Sequence, residues 1–181
     1  MRLLAISGSV RRDSYNTALL RAAAGCAAGV EFVVWRGLAD VPAYDEDLES
    51  RPAPLPVAAL RQEIGRSDAV LIATPEYNGS IPGALKNALD WVSRPLATSV
   101  LRGKRVAVVG TSIGLLGALG AQADLRKVLN VIGADVLDAG LPVPSAHTAF
   151  TETGRLRDRE LGSALCAIVR DLAQPSMERA A

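Results

Sequence analysis

This chain of 181 residues has little of several residue types on which common functions depend. Aromatic residues make up only 4% of it, and there is a single histidine. Its arginines are scattered among carboxylates to a net charge of +1, without the interleaved aromatics of a nucleic-acid groove. Cys26 and Cys166 form no CxxC pair and have no adjacent histidine. We therefore expect no nucleic-acid partner and no metal site, and we expect both cysteines to be buried free thiols.

Long apolar segments and the common nucleotide motifs are also missing. The longest apolar stretch, 106–120, is interrupted by Thr111 and Ser112 and is shorter than the roughly 18 residues of a membrane span. The N-terminus runs directly into a strand without a signal-peptide layout, so we expect a cytoplasmic protein without membrane insertion. No lysine is followed by Ser or Thr, which excludes a P-loop, and no GxGxxG follows the first strand.

What the chain does contain is a regular alternation of apolar strands and helices. The patterning predicts five strands, at 3–6, 30–35, 68–73, 105–109 and 134–137. Helices are predicted at 18–28, 57–64, 82–93, 122–132 and 157–172. Such an alternation predicts an α/β fold with a parallel sheet that is covered by helices on both faces. Right-handed crossovers favour a doubly wound, flavodoxin-like strand order of 2-1-3-4-5.

The length and the absence of repeats indicate one domain. A chain of this size can bury a substantial core, and no linker interrupts the pattern. We expect residues 1–181 to form a single domain that ends in a loose tail at 174–181. The segment 37–56, rich in Pro, Asp and Glu, is predicted to be a long loop.

Polar residues after the first strand predict an anion site. In doubly wound sheets, ligands bind at the carboxyl ends of the strands where the strand order reverses, here between strands one and three. The loop after strand one reads GSVRRDSYN, residues 8–16. Gly8 permits close backbone approach, the serines and arginines donate hydrogen bonds, and Asn16 is a good N-cap. The loop is therefore either a phosphate site at a helix N-terminus or an ordinary polar turn.

The loops after strands three and four should close on the same place. Asn78-Gly79 permits a tight turn with positive φ, whose N–H groups can meet the edge of a flat heterocycle. Tyr77 is expected either to cover a face of that ring or to line a wall of the pocket. Ser112 and Gly114 are expected at the opposite edge. Glu76 is either a general base or, as we expect, a solvated or structural carboxylate.

Two motifs carry a resemblance to a known family. GSVRRDSYNTALL followed by PEYNGSIPGALKNALDWVSR resembles the NADPH-dependent FMN reductases, a flavodoxin-like family that includes quinone, azo-dye and chromate reductases. The segment 40–49, DVPAYDEDLE, is similar to the family's loop after strand two. The resemblance implies FMN as cofactor and NADPH or NADH as co-substrate. It implies that the FMN phosphate is held by Ser9, Arg11, Ser14, Asn16 and Thr17. It implies that the isoalloxazine is bordered by Pro75, Glu76, Tyr77, Asn78, Gly79, Ser80, Ser112 and Gly114.

This chain differs from the family pattern at one place, and the resemblance also implies an oligomer. Many relatives carry two adjacent glycines where this chain has Gly117-Ala118, so a narrower pocket is expected there. A homodimer or homotetramer is implied, with the site completed by a neighbouring subunit. Trp91 is then either an interface anchor or a core residue, and His147 is expected in a loop without a catalytic role.

Together these features predict a flavoenzyme. We expect a hydride to pass from NAD(P)H through FMN to a small acceptor such as a quinone or free flavin, by a ping-pong mechanism without a catalytic side chain. Two alternatives remain at this stage. One is a flavodoxin-like electron carrier or FMN-binding protein without turnover, which the near-neutral charge disfavours, and the other is a regulatory module that binds a mononucleotide without turnover.

Overall fold

The central feature of the fold is one parallel sheet of five strands. A computed structural model describes residues 1–174, so the predicted tail lies, apart from Gln174, outside the described residues. The strands are β1 Arg2–Ser7, β2 Glu31–Trp35, β3 Ala69–Thr74, β4 Arg105–Thr111 and β5 Asp135–Val143. Their order is β2-β1-β3-β4-β5 and all neighbours are parallel. The predicted flavodoxin-like α/β fold with the order 2-1-3-4-5 is confirmed.

Helices cover both faces of the sheet. They are α1 Tyr15–Ala24, α2 Leu55–Arg66, α3 Gly83–Val92, α4 Leu119–Ile132 and α5 Arg159–Leu172. Successive side chains of a strand point to opposite faces. Leu3 and Ala5 of β1 accordingly pack in the core under α1 and α5, whereas Leu4 and Ile6 pack under α2, α3 and α4. Because both faces are covered, the three central strands carry almost continuous apolar runs.

The first helix begins earlier than predicted because a different residue caps it. The Oγ of Ser14 accepts hydrogen bonds from the N–H groups of Asn16 and Thr17 at 3.2 and 3.4 Å. The prediction that Asn16 is the N-cap was therefore wrong. Serine and asparagine are comparable N-cap residues, so local preference alone does not choose between them. The helix also ends earlier than predicted, at Ala24, with Gly25 as its C-cap.

Two other element boundaries differ from the prediction. α5 begins at Arg159 rather than 157, because the Asp158 carboxylate accepts from the N–H groups of the second and third helical residues at 2.8 and 3.1 Å. β5 runs on to Val143, well past the predicted end at 137. Pro142 is tolerated there because β5 is an edge strand of the sheet.

The segment 37–56 is more ordered than the predicted long loop. It contains two short 3₁₀ helices, Gly37–Asp40 and Glu46–Leu48, and it packs against α3. The indole Nε1 of Trp91 donates to the carbonyl of Pro42 at 2.9 Å, and the Tyr44 ring meets Trp91 edge-on. Trp91 is only 1% exposed, so it is a core residue and the interface-anchor alternative was wrong.

The two cysteines are joined to each other. Cys26, just after α1, and Cys166, within α5, form a disulfide although 140 residues separate them in sequence. Both residues are partly exposed. The prediction of buried free thiols was therefore wrong. The two helices lie side by side on one face of the sheet, which brings the Cα atoms to 5.1 Å.

Within residues 1–174, no helix is both long enough and apolar enough to cross a membrane.

Candidate functional site

Three loops meet at the carboxyl ends of β1, β3 and β4 and enclose a cavity of about 490 Å³. This is the place where the strand order reverses, and the volume is within the usual range of small-molecule sites. The cavity is lined by Ser9, Arg11, Ser14, Tyr15, Asn16, Pro75, Glu76, Tyr77, Thr111, Ser112 and Ile113.

The loop after β1 lies flat against the neighbouring strand. The N–H of Gly8 donates to the carbonyl of Ala73 at 2.8 Å. A Cβ at Gly8 would come within 2.9 Å of a methyl group of Leu85, so any larger residue would have to push that side chain aside. The Ser9 Oγ then accepts from the N–H of Arg11 at 3.3 Å. These contacts hold the loop as a compact turn on the cavity wall.

One end of the site is cationic and rich in hydroxyls. The Arg11 guanidinium lies over the Tyr15 ring, 5.1 Å from its centroid, at the side of the cavity where Ser9 and Ser14 also lie. Arginine stays charged at any physiological pH and offers its donors in a fixed fork. A smaller cavity of about 210 Å³ adjoins this end and shares Ser9 and Arg11, with Thr17 on its wall. This arrangement suits a phosphate dianion.

Asn16 joins two of the loops. Its side chain is 3% exposed, its Nδ2 donates to the carbonyl of Thr111 at 3.0 Å, and its Oδ1 accepts from the Thr111 N–H at 3.1 Å. β3 pairs with β4 only as far as Gly110, so these two main-chain groups find their partners in the amide of Asn16. The side chain therefore has only its second N–H and its remaining lone pairs for a ligand.

The loop after β3 contains the predicted tight turn. Tyr77 and Ser80 exchange two main-chain hydrogen bonds of 3.0 and 3.1 Å. The two residues between them, Asn78 and Gly79, have φ values of 53° and 77°. This is the type I′ geometry that Asn-Gly sequences favour. The turn lies exposed at the rim of the site, and the Tyr77 ring beside it is half-exposed.

Glu76 has a structural partner, as expected. Its Oε2 accepts from the main-chain N–H of Ala121 at 3.0 Å, in the first turn of α4. A carboxylate is favourable there because helix N-termini carry unpaired N–H groups and partial positive charge. Glu76 thereby fixes the loop after β3 to α4.

In the loop after β4, where many relatives have two adjacent glycines, this chain has Gly117-Ala118, and Ala118 adopts the left-handed conformation. Gly117 and Ala118 have φ values of 56° and 62°, and Ala118 is fully buried just before α4. A left-handed non-glycine residue costs about 1 kcal/mol or more. Earlier in the loop, Ser112 lines the cavity, whereas the carbonyl of Gly114 accepts from the N–H of Ser145 at 3.2 Å.

The structure brings most of the predicted site residues together. Those on the cavity wall are Ser9, Arg11, Ser14, Asn16, Pro75, Glu76, Tyr77 and Ser112. Those outside that wall are Thr17, Asn78, Gly79, Ser80 and Gly114. The Thr17 Oγ1 donates to the Oγ of Ser7 at 3.1 Å, and Ser80 lines a groove between α3 and α4.

Three lining residues were missed by the sequence reasoning. Tyr15 lies inside the first motif, and Thr111 and Ile113 flank Ser112. Their positions at the carboxyl edge of β1 and β4 are the signal that would have found them. His147 is exposed in a turn after β5, where a loop histidine was expected.

Known proteins are similar to this chain in sequence and in fold. The family model for NADPH-dependent FMN reductase matches residues 1–148. The chain belongs to this family. It is 39% identical over 159 residues to an NAD(P)H-dependent FMN reductase of Pseudomonas aeruginosa, covering 87% of this chain and 85% of that one. It is 43% identical over 128 residues to a 2-hydroxy-1,4-benzoquinone reductase of a Burkholderia species, covering 71% and 69%.

A solved structure extends the likeness to the whole fold. A flavoenzyme NAD(P)H:(acceptor) oxidoreductase from Paracoccus denitrificans superposes with a TM-score of 0.83 and 36% identity over 94% of each chain. The protein is therefore an oxidoreductase of the NADPH-dependent FMN reductase family, as predicted, and its cofactors are FMN and NAD(P)H.

The residues of the cavity fit FMN. A cation and serine hydroxyls line one end, where the phosphate dianion would need donors. The exposed turn at 78–79 and the half-exposed Tyr77 lie at the rim, where a flat ring needs polar edge partners and an apolar cover.

Proposed function

We propose that this protein is a cytoplasmic NAD(P)H:acceptor oxidoreductase that reduces quinones or free flavin through bound FMN. The observation that carries the proposal is the cavity at the strand-order reversal, with a cationic end and an exposed peptide turn. The relatives named as FMN and quinone reductases support the choice of acceptor. Bound FMN would supply the hydride and electron chemistry of the reaction.

We assign the phosphate end to the loop after β1. Ser9, Arg11 and Ser14 would donate to the phosphate, since their side chains lie on the cavity wall. Thr17 lines the adjoining cavity, and its hydrogen bond to Ser7 would hold the phosphate end of the site in place. Asn16 would mainly position the loop rather than bind the phosphate, because its amide is hydrogen-bonded to the main chain of Thr111.

We assign the ring end to the loops after β3 and β4. The residues that would border the isoalloxazine are Pro75, Glu76, Tyr77, Asn78, Gly79, Ser80, Ser112 and Gly114. Main-chain N–H groups held in the rigid turn at 78–79 would stabilise negative charge on the ring without reorganising. Glu76 would hold the loop in place through Ala121 and would exchange no proton with the substrates.

We propose that donor and acceptor occupy the same opening in turn, giving ping-pong kinetics. Exposed apolar side chains stand at this opening, with Tyr77 54% and Ile113 70% exposed. A flat nicotinamide or quinone ring would bury that surface on binding. Initial rates measured against NADPH at several fixed quinone concentrations should give parallel double-reciprocal lines. Intersecting lines would contradict the shared opening.

We propose a homodimer or homotetramer built on a groove between α3 and α4. The groove encloses about 760 Å³ and presents the exposed Val131 and Leu96. Its rim carries both acidic and basic side chains, as a self-complementary twofold interface requires. Light scattering on the purified protein should give a dimer or tetramer mass, and Val131→Glu should lower it.

The activity itself is tested by the visible spectrum of the purified protein. A flavin band that NADPH bleaches and a quinone restores is expected. A colourless protein that cannot be reconstituted with FMN would leave a regulatory module as the better reading. A coloured protein without NADPH oxidation would instead favour an electron carrier.

A further inference from the structure

A second cavity, of about 570 Å³, lies between the end of α1 and the outer side of α5. It shares no lining residue with the flavin cavity or with the smaller cavity beside it. Its wall contains the Cys26–Cys166 disulfide and the side chains of Arg155, Arg159 and Arg170. The proposed flavin chemistry uses none of these residues.

The helical repeat places cations on both sides of the disulfide. Arg159, Ser163, Cys166 and Arg170 follow one another at spacings of four, three and four residues and share one face of α5. With a rise of about 1.5 Å per residue, Arg170 lies about 6 Å and Arg159 about 10 Å along the helix axis from Cys166. Arg155 adds a third cation from the segment before the helix.

These cations are free to meet a ligand. Within residues 1–174, none of the three arginines takes part in an ion pair, and all three are exposed. No acidic side chain of the described residues lines the cavity. Glu160 and Asp171 also belong to α5, but they are not on the cavity wall. The charged side chains that line the cavity within residues 1–174 are therefore all basic, and they lie around a partly exposed disulfide, where they attract anions.

We propose that this cavity is a docking site for anionic low-molecular-weight thiols, which open the Cys26–Cys166 disulfide by exchange. The ligand thiolate attacks the Sγ of Cys166, the S–S bond breaks, and Cys26 leaves as a thiolate that takes up a proton. A second thiolate then attacks the ligand sulfur of the mixed disulfide, that S–S bond breaks, and Cys166 leaves as a thiolate that takes up a proton. Two thiols are oxidised to one disulfide, and the two protein sulfurs receive the two electrons. The arginines recognise the carboxylates of the thiol.

Opening the disulfide would remove the covalent cross-link between α1 and α5 and would leave the loops of the flavin cavity unchanged. The disulfide is the covalent link between α1 and α5, whereas the flavin cavity is built from loops at the other end of α1. Disulfides of cytosolic proteins are mostly redox-active rather than structural. In the proposed cytoplasmic setting, the site would make α5 sensitive to the thiol pool. The proposal itself does not depend on the flavin chemistry.

The test compares two thiols of different charge on the folded, flavin-loaded protein. Reduced glutathione carries carboxylates, and 2-mercaptoethanol carries none. The mixed disulfide and the liberated thiols are followed by mass spectrometry after acid quenching. We expect the double variant Arg159→Gln/Arg170→Gln to react about tenfold more slowly with glutathione. Its rate with 2-mercaptoethanol should fall much less, because the attacking thiolate is the only negative charge on that reagent. Added salt should reduce the wild-type rate with glutathione more strongly than that with 2-mercaptoethanol.

Matched controls separate the proposal from its alternatives. Arg51→Gln removes an exposed arginine outside the cavity and should leave both rates as in the wild type. NADPH–quinone activity should be unchanged in every variant, which reports the fold independently. Equal losses with both thiols, or no loss with glutathione, would overturn the proposal. So would a protein purified without reductant in which Cys26 and Cys166 are both free to alkylate.

Discussion

Replacing Asn16 by alanine should destabilise the protein although the site is close to the surface. The substitution removes two hydrogen bonds and leaves the N–H and C=O of Thr111 without their partner. Thr111 is 1% exposed, and a buried main-chain group left unpaired costs about 1–3 kcal/mol. Both residues line the flavin cavity, so water can replace part of the lost bonding. We therefore expect a loss of about 2–3 kcal/mol in the free energy of unfolding.

Urea unfolding of the flavin-free protein measures this loss directly, because a shift of the midpoint at constant m-value reports stability alone. In a thermal scan the same loss corresponds to a drop in Tm of about 5–10 °C. Asn130→Ala makes the same chemical change at an exposed position of α4 and should stay within about 0.5 kcal/mol of the wild type. If the two variants were equally stable, the bridge between the loops after β1 and β4 would contribute nothing.

Three further predictions concern the site. Arg11→Ala should weaken FMN binding about tenfold, because an exposed charge-assisted contact is lost, and should leave the urea midpoint unchanged. A fluorescence titration measures the affinity for FMN. The same loss of affinity in Arg51→Ala would indicate a general effect of charge. Ala118→Gly should raise the unfolding free energy by about 1 kcal/mol by relieving a left-handed alanine, and a lower urea midpoint would contradict this. Glu76→Gln should cost about 0.5–1 kcal/mol of stability, because its charge at the N-terminus of α4 is lost while an oxygen can still accept from Ala121. The pH profile of NADPH oxidation should not change in this variant, and a hundredfold fall in kcat would instead make Glu76 catalytic.

Much of the fold and part of the site follow from local sequence. Apolar strands alternating with helices allow few parallel topologies, and the right-handed crossover rule reduces them further. The turn at Asn78-Gly79 is equally local, because positive φ at both positions favours Asn and Gly. The loops after strands one, three and four could be assigned to one site because parallel strands end at the same edge of the sheet.

Only the tertiary structure decided which partner each polar side chain takes. Asn16 and Ser14 are both good caps in sequence, but the end of β4 lies within reach of Asn16 and engages its amide. Trp91 joined the core because the segment 37–56 folds over it, and Cys26 met Cys166 because α1 and α5 share a face of the sheet. Periodicity and turn chemistry depend on neighbours within a few residues, and the sequence therefore determined them. Hydrogen-bond and disulfide partners lie up to 140 residues apart, so they are determined only when the folded sheet brings its helices and loops together.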